Sequence, residues 1–441
     1  MTGTNSGQMK LGAFLMAGGH HIAAWRHPDA IANAGVNIDH FIELARMAEA
    51  AKFDMVFVED AAAIRERDPD LASQGARSTM FEPLSLLAAL AVNTSHIGLV
   101  ATASTTYNEP YGLARAFASL DQLSGGRSGW NLVTSASELE AENFVSSGLR
   151  PHAQRYERAE EFAGAAAALW DGVDSDAHTI SDGVYADPAK LHPVDHHGKH
   201  FTLTGILDSQ RSPQGRPIMV QAGASEAGKN LAARTADVVF TAAQTIEEAQ
   251  AYYADLKSRM PAFGRKPDDL KILPGISPIV ANSQSEARAK YEALQDLIPD
   301  EVGVALLASY LSIKDLSQYP LDGPLPEMPA TDGIQSRQQL IVDQARRENL
   351  NIRQSARKFA GARGHWQLIG TPMQIADRLE ERFLAKAADG FNIMGAYFPG
   401  ALKDFIDLVL PELRRRGLFR TEYEGKTLRG NLGLSIPERA V

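Results

Sequence analysis

No cysteine occurs in the 441 residues. That excludes disulfides, thiolate metal ligands and cysteine nucleophiles together, and it suits an intracellular setting. No apolar run approaches the ~18 residues that a membrane helix needs. Met1 to Lys10 is polar and lacks the basic-plus-apolar pattern of a secretion signal. A cytoplasmic protein is therefore expected. Positive charge is not in excess: 44 Lys and Arg face 54 Asp and Glu, a net charge of −10. Nucleic acid and anionic membranes are not expected partners. The chain also lacks several catalytic signatures. It has no His-Glu-x-x-His, no Asp/Glu pair spaced for glycoside hydrolysis, no Gly-x-Ser-x-Gly elbow and no phosphate loop. His192, His196, His197 and His200 cluster, but in a loop without a ligand motif, so no metal is expected there.

What remains is a long apolar chain, 44% hydrophobic, organised around Ser124-Gly125-Gly126-Arg127-Ser128-Gly129-Trp130-Asn131-Leu132-Val133-Thr134-Ser135. This stretch reads as a helix stop, a glycine turn and a short strand that carries polar groups to its far end. Trp130 to Ser135 is expected to form a wall of a cofactor pocket, with Gly125, Gly126 and Arg127 structural. Eight apolar strand candidates appear: 10–17, 54–58, 97–103, the short strand within 124–135, 217–221, 237–242, 270–280 and 391–396. Most are followed by a helical pattern. Eight β/α units predict an α/β fold, a (β/α)8 TIM barrel formed by one domain over 1–441. Two irregular stretches read as insertions after strands 4 and 7. The second, 298–363, is proline-marked, with one helix near 335–349, and is a candidate lid. The polar tail from Phe419 is expected to wrap a neighbour.

In such a barrel the active site lies at the carboxyl ends of the strands. Those ends carry His20 and His21, Asp60, Thr102 to Thr106, Asn131, Thr134 and Ser135, and Gly223 to Ser225. His365 lies in the second insertion. Aromatic residues Phe14, Trp25, Phe57, Tyr107, Trp130, Trp366 and Phe398 fall nearby. Two clusters suit an anion. Ser225 is an N-cap candidate at a helix start, with the N–H groups of Ala227 and Gly228 expected to point outward. His152 and Tyr156 are four residues apart and share a helix face, with Arg155 beside them. Ordinary capping and surface polarity are the plain alternatives for both. No strand end carries a lysine, which weakens a Schiff-base enzyme.

The run 123–135 resembles the signature of flavin-dependent monooxygenases related to nitrilotriacetate monooxygenase component A and dibenzothiophene-sulfone monooxygenase, in the bacterial luciferase-like superfamily. Shorter matching pieces are 21–27, 53–60, 101–111, 151–162, 221–228 and 370–392. The resemblance implies a luciferase-like barrel that uses reduced FMN (FMNH2) and O2 to insert one oxygen atom into a small organic substrate through a flavin hydroperoxide. It further implies that Asp60, Thr102 or Ser104, and Asn131 line the isoalloxazine and ribityl chain. His152, Tyr156 and Ser225 would hold the phosphate. His21 and His365 are candidates for handling protons. With no Gly-x-Gly-x-x-Gly after a strand, reduced flavin is expected from a separate NAD(P)H:flavin reductase. A homodimer or homotetramer is expected. Arg26 and Arg127 are the basic residues seen near the strand ends, so a neutral or sulfur-containing substrate is favoured over an acid. A deazaflavin-dependent oxidoreductase of the same superfamily and a non-catalytic flavin-binding barrel are the alternatives.

Overall fold

The computed structural model describes residues 7–439, apart from 65, 76–77, 145–147, 179, 181–182 and 329–334. The first six residues of the polar N-terminal stretch, and 329–334 of the second insertion, thus lie outside the described residues. Eleven strands are present: β1 (Lys10–Leu15), β2 (Met55–Val58), β3 (Gly98–Ser104), β4 (Ser128–Val133), β5 (Val194–His197), β6 (Thr202–Gly205), β7 (Ile218–Gln221), β8 (Val238–Thr241), β9 (Lys271–Val280), β10 (Trp366–Gly370) and β11 (Gly390–Ile393). Eight of them close a parallel ring in the order β9-β11-β1-β2-β3-β4-β7-β8, with β8 returning to β9. These are the eight strands anticipated, and the fold is a (β/α)8 TIM barrel.

Side chains alternate across each strand, so two cores form. Phe14, Met55, Phe57, Val100, Ile218, Val220, Val238, Phe240, Leu273 and Met394 point inward and fill the barrel. Trp130, Phe117, Phe162 and Trp170 belong to the outer layer between strands and helices. Gly125 and Gly126 adopt φ of +68° and +88° at the turn into β4. A Cβ at Gly126 would meet Thr427 Cγ2 at 2.9 Å, so this turn is also a packing contact.

The insertion after β4 contains the helix His152–Trp170 and the hairpin β5–β6. The insertion after β9 is more regular than its sequence suggests. It contains helices Asp300–Leu311, Gln335–Glu348 and Ile352–Ala362, where one helix was expected. Val304, Leu307, Leu311, Ile352, Ala356 and Phe359 give it an apolar cluster of its own. Helix Ile352–Ala362 starts with a reciprocal Asn351–Gln354 capping box. The insertion returns through β10, which pairs in parallel with the second half of β9, from Trp366↔Ile276 to Gly370↔Val280.

The tail packs against this chain's own barrel, which corrects the expectation that it wraps a neighbour. Leu428 and Leu432 share one face of a short helix and, with Leu434, enter the floor of the barrel. Leu428 sits against Gly98, where any side chain would collide with it. Two ion pairs, both largely buried, fasten the tail to the barrel floor. Arg420 Nη2 donates to Asp54 Oδ1 (2.6 Å), and Arg429 Nη2 to Asp237 Oδ2 (2.9 Å). Arg127 is likewise structural. Its guanidinium donates to the carbonyls of Ala91, Thr94, Ile97 and Ser124.

Candidate active site

At the carboxyl end of the barrel, inward positions become polar. On β3 and β4 the inward residues Thr102 and Asn131 are register partners. Asn131 Nδ2 donates to Thr102 Oγ1 (2.9 Å), and Thr102 Oγ1 donates to the Val58 carbonyl (2.9 Å). Because the hydroxyl proton is committed to Val58, Oγ1 can only accept from Asn131. The amide is therefore oriented with Oδ1 away from Thr102. That oxygen is buried and has no protein donor, which is costly unless a ligand supplies one. One turn further, Ser135 Oγ donates to Ser104 Oγ (2.8 Å), which also accepts from the Thr106 N–H (3.1 Å). Asp60 is half-buried in the loop after β2.

The two anion clusters foreseen separately come together. Tyr156 Oη and Ser225 Oγ each lie 3.2 Å from the position a Cβ would take at Gly228. His152 packs against Tyr156 with ring centroids 4.7 Å apart. Ser225 caps the helix Glu226–Thr235 by accepting from the Gly228 N–H (3.1 Å). Gly228 is thus engaged by the cap, contrary to expectation, and the unbonded N–H groups of the first turn are those of Glu226 and Ala227. Arg155 turns aside: its Nη1 donates to the Arg150 carbonyl (2.6 Å). The arrangement is a helix N-terminus with a hydroxyl and a phenol beside it and an imidazole packed on the phenol, suited to a phosphate monoester.

The histidines divide by their bonds. His21 is buried; its Nδ1 accepts from the Ala23 N–H (3.2 Å) and its Nε2–H donates to Gln295 Oε1 (3.0 Å). Both nitrogens are occupied, and burial pulls its pKa down to about 4. His20 Nε2–H donates to the Phe14 carbonyl (2.8 Å), so its Nδ1 accepts from Arg363 Nη2 (2.5 Å). His365 sits over the inward Gly275, where a Cβ would approach its Nδ1 to 2.5 Å, and beside Met394. Its Nε2 faces Arg337 Nη2 at 3.5 Å, which leaves the proton on Nδ1. That Nδ1 is buried without a protein partner. Burial first, then Arg337 and Arg363, hold the His365 pKa well below the ordinary value.

Other placements differ from the sequence reading. Trp130 faces outward, with its Nε1–H donating to the Ala103 carbonyl (3.0 Å), and lines no cofactor pocket. The aromatic wall inside the barrel is Phe14, Phe57 and Phe240, in edge contacts of 4.5 and 4.6 Å. Trp25 is 37% exposed beneath Arg26, and Trp366 packs under Arg382. Three residues at the mouth escaped notice: Glu59, Arg337 and Arg363. Arg363 Nη1 donates to Glu59 Oε1 (3.1 Å). The parity of β2 signals Glu59, since Met55 and Phe57 point inward. The four histidines of the β4 insertion each lie beside an acid, as His196 does beside Glu161 (3.1 Å). No group of three or more metal-ligating side chains is present among the described residues. No helix there is long and apolar enough to cross a membrane.

A family model described as luciferase-like monooxygenase matches residues 15–389. Nitrilotriacetate monooxygenase component A of Aminobacter aminovorans is 47% identical over 444 residues, covering 98% of each chain. Dibenzothiophene-sulfone monooxygenase of Rhodococcus erythropolis is 41% identical, covering 99% of this chain and 98% of that one. Among solved structures, riboflavin lyase with modified FMN and substrate riboflavin superposes with a TM-score of 0.86 at 32% identity, covering 98% of this chain and 97% of that one.

Proposed function

Because this chain belongs to the luciferase-like monooxygenase family, we propose that it is the oxygenating component of a two-component system, working with FMNH2 from a separate NAD(P)H:flavin reductase. The relative named component A supports the division of labour. The observation that carries the cofactor assignment is the convergence of Tyr156 and Ser225 on one helix N-terminus, with His152 packed on Tyr156, in the same mouth as Asn131 and its unmatched Oδ1. A phosphate at the first site and a flavin ring donor at the second satisfy both. Asp60, Thr102 and Ser104 complete this wall.

Reduced FMN, when bound, activates O2 and supplies one of its oxygen atoms to a small organic substrate. The protein's part is to position, to dry and to move a proton. Phe14, Phe57 and Phe240 give the site an apolar floor. The segment 298–363 serves as the lid: the Ile22 N–H donates to the Ala360 carbonyl (3.2 Å), tying it to the loop after β1. His365, held neutral, aims its Nδ1–H toward the barrel interior and is the better candidate to donate a hydrogen bond to the reacting groups. His21, with both nitrogens engaged, keeps that loop in place.

The test is to compare FMN with riboflavin. Wild type is expected to bind FMN at least ~10-fold more tightly, as a charge-assisted phosphate contact should provide. Tyr156→Phe combined with Ser225→Ala should erase the preference while riboflavin affinity stays. Equal affinities in wild type refute the phosphate site. Oxygen uptake driven by an added flavin reductase, with no rapid NADH oxidation by the protein alone, checks the two-component assignment.

A further inference from the structure

We propose that the substrate carries a carboxylate that is held by Arg337 and Arg363 at the mouth of the barrel. This deepens the monooxygenase reading and rests on it for the site's identity. Arg363 caps the helix Ile352–Ala362 in a left-handed conformation, φ +51°. That turn drives its side chain down into the mouth, where it is 5% exposed. Its guanidinium meets Glu59, His20 Nδ1 and Met16 Sδ. Its Nε is buried with no acceptor.

Arg337 comes from the neighbouring helix Gln335–Glu348 and donates through Nη1 to the Arg363 carbonyl (2.8 Å). Among the described residues no carboxylate pairs with Arg337. Two guanidinium groups thus share a half-buried space with one acid, Glu59, and two imidazoles. The imidazoles cannot neutralise them: His20 already accepts from Arg363, and His365 turns its Nε2 to Arg337. Burial is the largest influence on Arg337 and lowers its pKa; Arg363 lowers it further, while Tyr310 and Glu59 pull against them.

A guanidinium partly withdrawn from water and without an acid partner favours the arrival of an anion. Arg presents paired N–H groups that match a carboxylate. Beside the pair, His365 meets Arg337 through Nε2 and lies over the inward Gly275 through Nδ1, so the two arginines border the barrel interior. The expectation of a neutral substrate rested on Arg26 and Arg127. One lies exposed over Trp25, and the other is bound at the opposite end of the barrel. The basic residues of the mouth come instead from the insertion.

Calorimetric titration tests this without knowledge of the true substrate. The probes are acetate, glutarate and propane-1,2,3-tricarboxylate, with neutral glutaramide as control, each against the protein alone and saturated with FMN. At least one carboxylate should bind in both states, weaken with added salt, and exceed glutaramide at least ~10-fold. Arg337→Gln should lose ~10-fold or more in affinity and Arg337→Lys less, while both retain FMN. No carboxylate binding, equal binding of glutaramide, or unchanged affinity in Arg337→Gln overturns the proposal. So does displacement of the carboxylate by FMN, because the arginines would then serve the flavin. Failure to bind FMN with carboxylate binding intact would instead defeat the flavin reading alone.

Discussion

Asn131→Leu should raise stability and lower flavin affinity at once. The two side chains share the same branched skeleton of heavy atoms, and the site is 4% exposed. In the free protein the substitution removes a buried carbonyl oxygen that has no donor, an arrangement costing about 1–3 kcal/mol. It also removes the donor to Thr102 Oγ1, but that hydroxyl keeps its bond to Val58, so the loss there is small. The free variant should therefore be as stable as wild type or up to ~1–2 kcal/mol more so. In the proposed flavin complex the same oxygen would accept a hydrogen bond, and its loss should weaken binding by about 1–3 kcal/mol, roughly 5–150-fold. The two effects combine in thermal denaturation. At 100 times the wild-type Kd, FMN stabilises wild type by about 2.7 kcal/mol. A variant weakened ~50-fold gains only about 0.6 kcal/mol at that concentration. The assay is unfolding with and without FMN, with Kd taken from anaerobic fluorescence titration of FMNH2. A structural asparagine predicts the reverse. If Asn131→Leu unfolds more easily when free and binds flavin as tightly as wild type, the reasoning fails.

Arg420→Met leaves Asp54 buried without its ion pair, which should cost about 3–5 kcal/mol near neutral pH. Burial already holds the Asp54 carboxyl above its ordinary range while Arg420 and Lys10 pull against it. An acid whose folded pKa is raised takes up a proton on folding, so stability returns as pH falls. The deficit measured by urea denaturation should be largest at pH 8 and smaller at pH 5, and a pH-independent deficit would contradict this. His365→Ala should lower product formation ~10²-fold or more and divert oxygen to peroxide. His21→Ala should chiefly lower the melting temperature. Coupled oxygen uptake with peroxide detection separates them, and the opposite ranking would return the proton-handling role to His21.

The ring of eight strands was legible because each is short, apolar and bounded by turn signals. The polar rim of the barrel was legible where chemistry and strand ends coincide, as at Asn131 and Ser225. Three features were not. Trp130 was read as a pocket wall, but in a strand buried on both faces composition does not say which side faces inward. Helices Asp300–Leu311 and Ile352–Ala362 were hidden by the prolines between them, although the Asn351–Gln354 cap was present in the sequence. Arg337 and Arg363 act through that missed structure. Their convergence on Glu59 spans about three hundred positions, 304 for Arg363, and no local pattern encodes it.

The floor of the barrel sets an order in time. Asp54 meets Arg420 only after a further 366 residues have been made. At ~5–20 residues per second, that is a wait of roughly 20–70 s. Until then a carboxylate that ends wholly enclosed stays open to water. Over nearly the same interval the groove above Gly98 has no Leu428 to close it. The strands that carry the catalytic rim leave the ribosome well before their floor exists. Enclosure of the barrel is therefore a late event of biosynthesis, and a nascent chain stalled between β11 and the tail would hold the rim in place above an open interior.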